Sequence, residues 1–169
     1  MRRAYRYVGP KKIAERARPN GTVILSAADV IHWIRQSFRE PARLLESVAT
    51  YVVDTEGKLR IADRQSEHVA CAGGGEVLSA GEIAFEIREG QVRIVRVSNQ
   101  SAGYCPEVES WNCVKVALEQ VGMVPPFGFE PALVFRRCEG CGTINIIKDA
   151  VFDCDVCSEP LPAIWNFTS

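Results

Sequence analysis

The chain has 169 residues, a formal net charge of −1, 47% apolar residues and seven cysteines. That size allows one compact body plus a small appendage, and no apolar run approaches the ~20 residues a membrane-spanning helix needs. The start, MRRAYRYVGPKK, is basic and lacks the apolar segment of a secretory signal, so a cytoplasmic setting with free or metal-bound thiols is expected rather than a disulfide framework.

Charge is unevenly spread. Residues 1–20 hold seven Lys/Arg against one Glu. Such a start reads either as a solvated, poorly ordered tail or as an arm for an acidic partner or nucleic acid. Residues 1–22 are read as this arm, with a short helix from Lys11 to Arg18 between Pro10 and Pro19. An α+β body follows over 23–124. Ser26 and Asp29 form a capping box, and Val30, Ile31, Trp33, Ile34 and Phe38 recur at helical spacing up to Pro41. Ala42 to Val48 could add a further helical turn or two. Thr50–Asp54 and Leu59–Ala62 then read as a hairpin around Thr55-Glu-Gly57. Glu67–Cys71 reads as a strand broken by Ala72-Gly73-Gly74-Gly75. Glu82–Arg88 and Gln91–Val97 pair across Glu89-Gly90. The Ile94-Val95 doublet breaks strict alternation and predicts a bulge or a strand buried on both faces. After a polar loop, Val108, Trp111, Val114, Leu118 and Val121 make an amphipathic helix over 107–121, stopped by Gly122. The expected fold is α+β: a mostly antiparallel curved sheet with helices over one face, since Trp33 and Trp111 lie on apolar helix faces that need a partner.

Residues 125–131 are a Pro/Gly-rich linker into a C-terminal module over 132–169. Cys138-Glu-Gly-Cys141 and Cys154-Asp-Val-Cys157 repeat a C-x2-C spacing. Two such knuckles facing each other make a tetrahedral thiolate cage for Zn²⁺. Strands at Ala132–Arg137 and Thr143–Ile147 would frame the first knuckle, with Gly142 behind it. The turn Lys148–Ala150 and a return over Val151–Asp153 lead into the second, where Ser158 stands at a position often taken by Gly. The module resembles a zinc ribbon. Four cysteines leave no open coordination position, so the zinc is expected to be structural. The module carries a net −2, which disfavours a phosphate-binding surface and favours a protein-facing one. Trp165 and Phe167 read as core or docking anchors.

A second constellation lies between the hairpins. It comprises His68-Val-Ala-Cys71-Ala-Gly-Gly-Gly75, then Ala80-Gly81-Glu82, then Ser98 to Pro106. Its cadence resembles a module of uncharacterised bacterial proteins, polymorphic toxin tails and plant IQ-motif calmodulin-binding proteins. The matching positions are His68, Gly73, Ala80, Gly81, Glu82, Gly90, Ser101, Tyr104 and Pro106. Val69, Ala70 and Gly103 depart from the module's pattern of two serines and a histidine. Read directly, a triglycine loop exposes N–H groups to an anion, and His68, Asn99 and Tyr104 could converge at one sheet end. Gly73, Gly74, Gly75 and Asn99 are then binding candidates, and His68, Glu82, Ser101 and Tyr104 catalytic candidates. Cys71 or Cys105 could be a nucleophile with His68 as base, or the two thiols could be inert and buried with Cys113. A second metal at His68, Cys71 and Cys105 is a further option.

The chain has no P-loop, G-x-S-x-G, zinc-protease helix or dinucleotide fingerprint. The leading expectation is a protein-interaction or adaptor module with a structural Zn²⁺. The alternative is an enzyme-like domain acting on a nucleotide or protein through a His68/Glu82/Tyr104 pocket.

Overall fold

The computed structural model describes residues 3–37 and 46–167. Strands β1 (Thr22–Val23), β2 (Ser47–Asp54), β3 (Leu59–Asp63), β4 (Val77–Arg88) and β5 (Gln91–Val97) form an antiparallel sheet in the order β1-β3-β2-β4-β5. The β2–β3 hairpin turns as expected. Asp54 fixes it: its Oδ1 accepts the N–H groups of Glu56 at 3.0 Å and Lys58 at 2.9 Å, and its Oδ2 pairs with Arg60 Nε at 2.9 Å. The expected bulge is present on β5. Ala84 opposes Arg96 and Phe85 opposes Ile94, so Val95 is the extra residue.

Strand β4 starts five residues before the expected Glu82. Small and polar residues at 79–81 hide its alternation, and pairing supplies it. The Tyr5 N–H donates to Val77 O at 2.7 Å, and the Val77 N–H returns to Tyr5 O at 3.0 Å. Gly81 is required inside this strand, because a Cβ there would lie 2.0 Å from the Ser98 carbonyl oxygen.

Helices α2 (Ala27–Ser37) and α4 (Trp111–Gln120), the latter preceded by a 3₁₀ turn over Val108–Ser110, cover one face. Val30, Trp33, Ile34, Val114 and Leu118 pack there on Tyr51, Val53, Ile61, Ile83 and Phe85. The capping box forms: Asp29 Oδ2 accepts the N–H groups of Leu25 and Ser26, both at 2.9 Å. These bonds, Leu25 first, hold the Asp29 carboxyl below its usual range. Phe38, Pro41 and Ala42–Leu45 lie outside the described residues. Ser47 and Val48, read as part of a further helix, begin β2 instead.

The opposite face is covered too, which the sequence reading did not expect. Helix α1 (Lys11–Arg16), within the expected Lys11–Arg18, and α3 (His68–Cys71) lie there, on a cluster of Tyr5, Val52, Val69, Ala80 and Tyr104. Two readings are corrected. Glu67–Cys71 is not a strand: the N–H groups of Ala70 and Cys71 both turn back to Glu67 O, closing a helical turn. Four residues are too few for periodicity to separate the two states. Nor is the N-terminal arm a loose solvated tail. Tyr5 is buried and pairs with β4, and burying such a ring contributes roughly 1.5–3 kcal/mol.

The C-terminal module contains a two-stranded sheet, β6 (Phe135–Arg137) with β7 (Ile144–Ile146). It packs against the body. Trp165 Nε1 donates to Cys105 O at 2.7 Å, and its ring meets Tyr5 edge-on at 5.5 Å. Phe135, Phe167 and Cys105 share a small buried cluster. The fold is therefore the expected α+β sheet with a C-terminal hairpin carrying four cysteines.

Candidate metal centre

The two knuckles face each other. The sulfurs of Cys138, Cys141, Cys154 and Cys157 all lie within 4.8 Å of one another. Cys138 Sγ stands 3.5 Å from Cys157 Sγ, and Cys141 Sγ stands 3.6 Å from Cys154 Sγ. A tetrahedral ion with Zn–S bonds near 2.3 Å places its sulfurs roughly 3.8 Å apart, so the tetrad fits zinc.

Local backbone geometry builds each knuckle. The Gly142 N–H returns to Cys138 O at 2.9 Å, and the Ser158 N–H to Cys154 O at 3.0 Å. Both residues following the knuckles take left-handed backbone, φ +76° at Gly142 and φ +61° at Ser158. Glycine suits that conformation, and at Ser158 a residue with a Cβ adopts it at some cost.

The sulfurs are not equivalent. Cys138 and Cys154 are 1% and 3% exposed, while Cys141 and Cys157 face solvent. Backbone N–H groups of Cys157 and Val156 hold the Cys154 thiol down to about 6. Cys157 moves the other way: against the Glu159 amide, the neighbouring sulfurs, Cys138 first, push it up to about 12. Thiolates this close repel one another, and a dication at their centre is what lets all four ionise. Asn145, missed in the sequence reading, supports the site. It is buried, its Nδ2 lies 3.6 Å from Cys154 Sγ, and its Oδ1 accepts the Asp155 N–H at 3.0 Å. An outer partner of this kind orients a metal ligand. Its only sequence signal was a polar residue alternating with Ile144 and Ile146.

The central polar residues are spread over several structural tasks. His68 Nε2 is 3.0 Å from Gly81 O, to which it donates, and Tyr104 Oη donates to Gly75 O at 2.7 Å. Together these bonds tie α3 and the glycine loop to β4 and the loop after β5. Tyr104 is fully buried, which raises its hydroxyl well above the usual range. Asn99 is fully buried as well. Its Nδ2 donates to Pro106 O at 2.9 Å and Leu133 O at 2.8 Å, and its Oδ1 accepts the Leu133 N–H at 2.7 Å. It is the clamp between the body and the strand leading to the cysteines. Ser101 Oγ is buried without a partner among the described residues. Glu82 lies 3.5 Å from Arg64 and lines a cleft of about 220 Å³ with Arg96, Ser98 and Glu130, which neither His68 nor Tyr104 reaches. Of the triglycine, Gly73 and Gly74 take positive φ, at 67° and 84°. The Gly74 N–H donates to Val69 O at 2.8 Å, and the Gly75 N–H to Ala72 O at 3.4 Å, so the loop closes α3.

Burial pushes the Cys71 and Cys105 thiols up to about 12, which leaves them protonated and unreactive near neutral pH. Among the described residues only the four-cysteine cluster gathers three or more ligand-bearing side chains, so His68, Cys71 and Cys105 form no second metal centre.

Burial also holds the His68 imidazole below its ordinary 6.5, against the Gly81 carbonyl and Glu82. The folded state thus prefers neutral His68, and the unfolded chain binds more protons. The stability from this group is intact above about pH 6.5 and drains away as pH falls toward the depressed value. Between pH 7.5 and 5.5 the urea midpoint of His68→Gln is expected to fall less than that of the parent chain. Parallel falls in the two proteins would contradict the depressed pKa.

The class is now defined: a small α+β protein whose C-terminal two-stranded sheet carries a four-cysteine centre suited to a structural Zn²⁺. No helix among the described residues is long and apolar enough to cross a membrane. No protein-family description, curated protein or solved structure matches the chain.

Proposed function

We propose that this chain is a zinc-stabilised protein-interaction or adaptor module. The observation that carries the reading is how its polar residues are employed. The four cysteines form a closed set suited to holding an ion and a fold, not a substrate. His68, Tyr104 and Asn99 spend their hydrogen bonds on the backbone. Large apolar side chains also stand on the surface: Val124, Phe127, Val156 and Ile164 are all exposed, and exposed apolar groups mark interaction surfaces when they gather. The free thiols fit a reducing, cytoplasmic setting. On this reading the arm (1–22), the body (23–124), the linker (125–131) and the ribbon (132–169) act as one rigid presenter, with Zn²⁺ setting the ribbon's shape. Nucleic acid is disfavoured by the ribbon's net −2.

The test is photocrosslinking in the source cells, with a benzophenone amino acid placed in turn at Ile13, Phe127 and Val156. One recurrent protein adduct confined to one face is expected, and it should survive His68→Gln. Absence of a protein adduct at every position overturns the adaptor reading. A catalytic turnover abolished by His68→Gln would replace it with the enzyme reading.

A further inference from the structure

A groove of about 450 Å³ runs between the N-terminal segment and the ribbon, and a second of about 240 Å³ continues along α1. They share Ile13 and Glu67 in their walls, so they adjoin and present one surface. Its floor is apolar: Tyr7, Val8 and Ile13 on one side, Ile144 of β7 on the other. Its rim is cationic, with Lys12 and Arg16 one helical turn apart on α1 and Arg137 on β6. Glu67 is the one acid in the lining.

Three further features suit a ligand. Arg137 reaches Val8 O with one N–H at 3.5 Å and lies over the Phe167 ring at 5.4 Å, which fixes the guanidinium beside the groove with donors to spare. Tyr7 is partly buried, its ring edge-on to Tyr104 at 5.7 Å, and it lines the groove. Gly9 and Gly103 flank that ring closely: a Cβ on either would come within 2.5 Å or 2.7 Å of Tyr7 atoms. The backbone at both positions is trimmed to seat this side chain.

Resting on the adaptor reading above, we infer that this groove binds an acidic peptide segment of a partner protein, apolar side chains on its floor and carboxylates against Lys12, Arg16 and Arg137. The occupant follows from charge. The chain as a whole is −1, yet residues 1–20 carry seven basic residues and one acidic residue. Arg3, Arg6 and Lys11 of that segment pair with Glu107, Glu76 and Glu15, but in the groove itself Lys12, Arg16 and Arg137 stand against Glu67 alone, and a complementary acidic segment is steered to them. Three cations around this floor favour a peptide over a nucleic-acid backbone, which needs a continuous track of clustered positive charge. One wall belongs to the ribbon and flanks Cys138, so the groove exists only while the four-cysteine centre is intact.

The experiment pans a random twelve-residue peptide display library against the reduced, zinc-loaded full chain, then measures the selected peptides by fluorescence polarisation. Lys12 and Arg16 are both exposed, so Lys12→Glu with Arg16→Glu should leave zinc stoichiometry and thermal midpoint unchanged. The expected selection is rich in Asp/Glu beside Leu, Ile or Phe. Binding should weaken about tenfold in the double variant, tighten about twofold in Glu67→Gln, and vanish with EDTA. No selected binder, basic or neutral binders, or equal affinity for parent and double variant would each overturn the proposal. A single-stranded oligonucleotide that binds more tightly than the peptides would assign the face to nucleic acid instead. A cellular crosslink at Phe127 or Val156 but not at Ile13 would leave the adaptor reading standing and remove the groove. Peptide binding at the groove with no cellular protein adduct would do the reverse.

Discussion

Replacing Cys154 with alanine, or stripping zinc from the reduced chain with a chelator, is expected to unfold the ribbon while the five-stranded sheet stays folded. The two parts differ in what holds them. The sheet has a large apolar core of its own on the α2/α4 face. The ribbon has strands of three residues each and a buried cluster built around Cys138, Cys154 and Leu161. A unit so small cannot offset its chain entropy by burial, and metal binding supplies the difference. Structural zinc sites contribute on the order of 10–16 kcal/mol of apparent binding free energy at neutral pH, far more than a unit of this size can lose and remain folded. Native mass spectrometry of the parent chain should show one zinc, and Cys154→Ala none. Amide exchange should become fast over Phe135–Arg137 and Ile144–Ile146 and stay slow in β2 and β4. Release of Trp165 from Tyr5 and Cys105 should shift its fluorescence. Metal-free parent protein with a protected ribbon would refute the assignment.

Asn99→Ala is expected to destabilise the chain by about 2–4 kcal/mol, while Ser101→Ala, two residues away, should lie within about 0.5 kcal/mol of the parent or gain slightly. Both side chains are buried. The difference is partnership. Asn99 satisfies the Leu133 N–H and two carbonyls, and its loss leaves the buried Pro106 carbonyl and the half-buried Leu133 groups without that partner. The Ser101 hydroxyl has nothing to lose. Urea midpoints of the two variants decide it, and equal midpoints would show that Asn99 is no clamp. Hydrogen exchange would add a second reading, because Asn99→Ala should loosen the approach to the cysteines as well as the body.

Much of the fold was legible in the residue order, and the reasons are local. Asp54 with Gly57, Ser26 with Asp29, and the Ile94-Val95 doublet each act within a few residues of themselves, and each produced the expected turn, cap or bulge. What escaped was decided at a distance. The start of β4 has no alternation to read until Tyr5 pairs with Val77. Glu67–Cys71 is apolar enough for a strand, and it becomes a helical turn over Val52 and Ala80. The basic arm looks solvated because its charges dominate its composition, yet Tyr5 on Val77, Tyr7 on Tyr104 and Val8 on Gly103 pin it.

The cysteine spacing by itself determined the candidate metal centre, because a C-x2-C turn aims two sulfurs at one point whatever surrounds it. It also supplied four sulfurs, a set that would leave a Zn²⁺ no open position. Only the tertiary structure decided what the remaining polar residues do. His68, Asn99 and Tyr104 carry the same side chains whether they face a substrate or a carbonyl. A hydrogen-bonding group declares its role through its partner, and the partners, Gly81, Leu133 and Gly75, are brought close by packing between segments far apart in the chain.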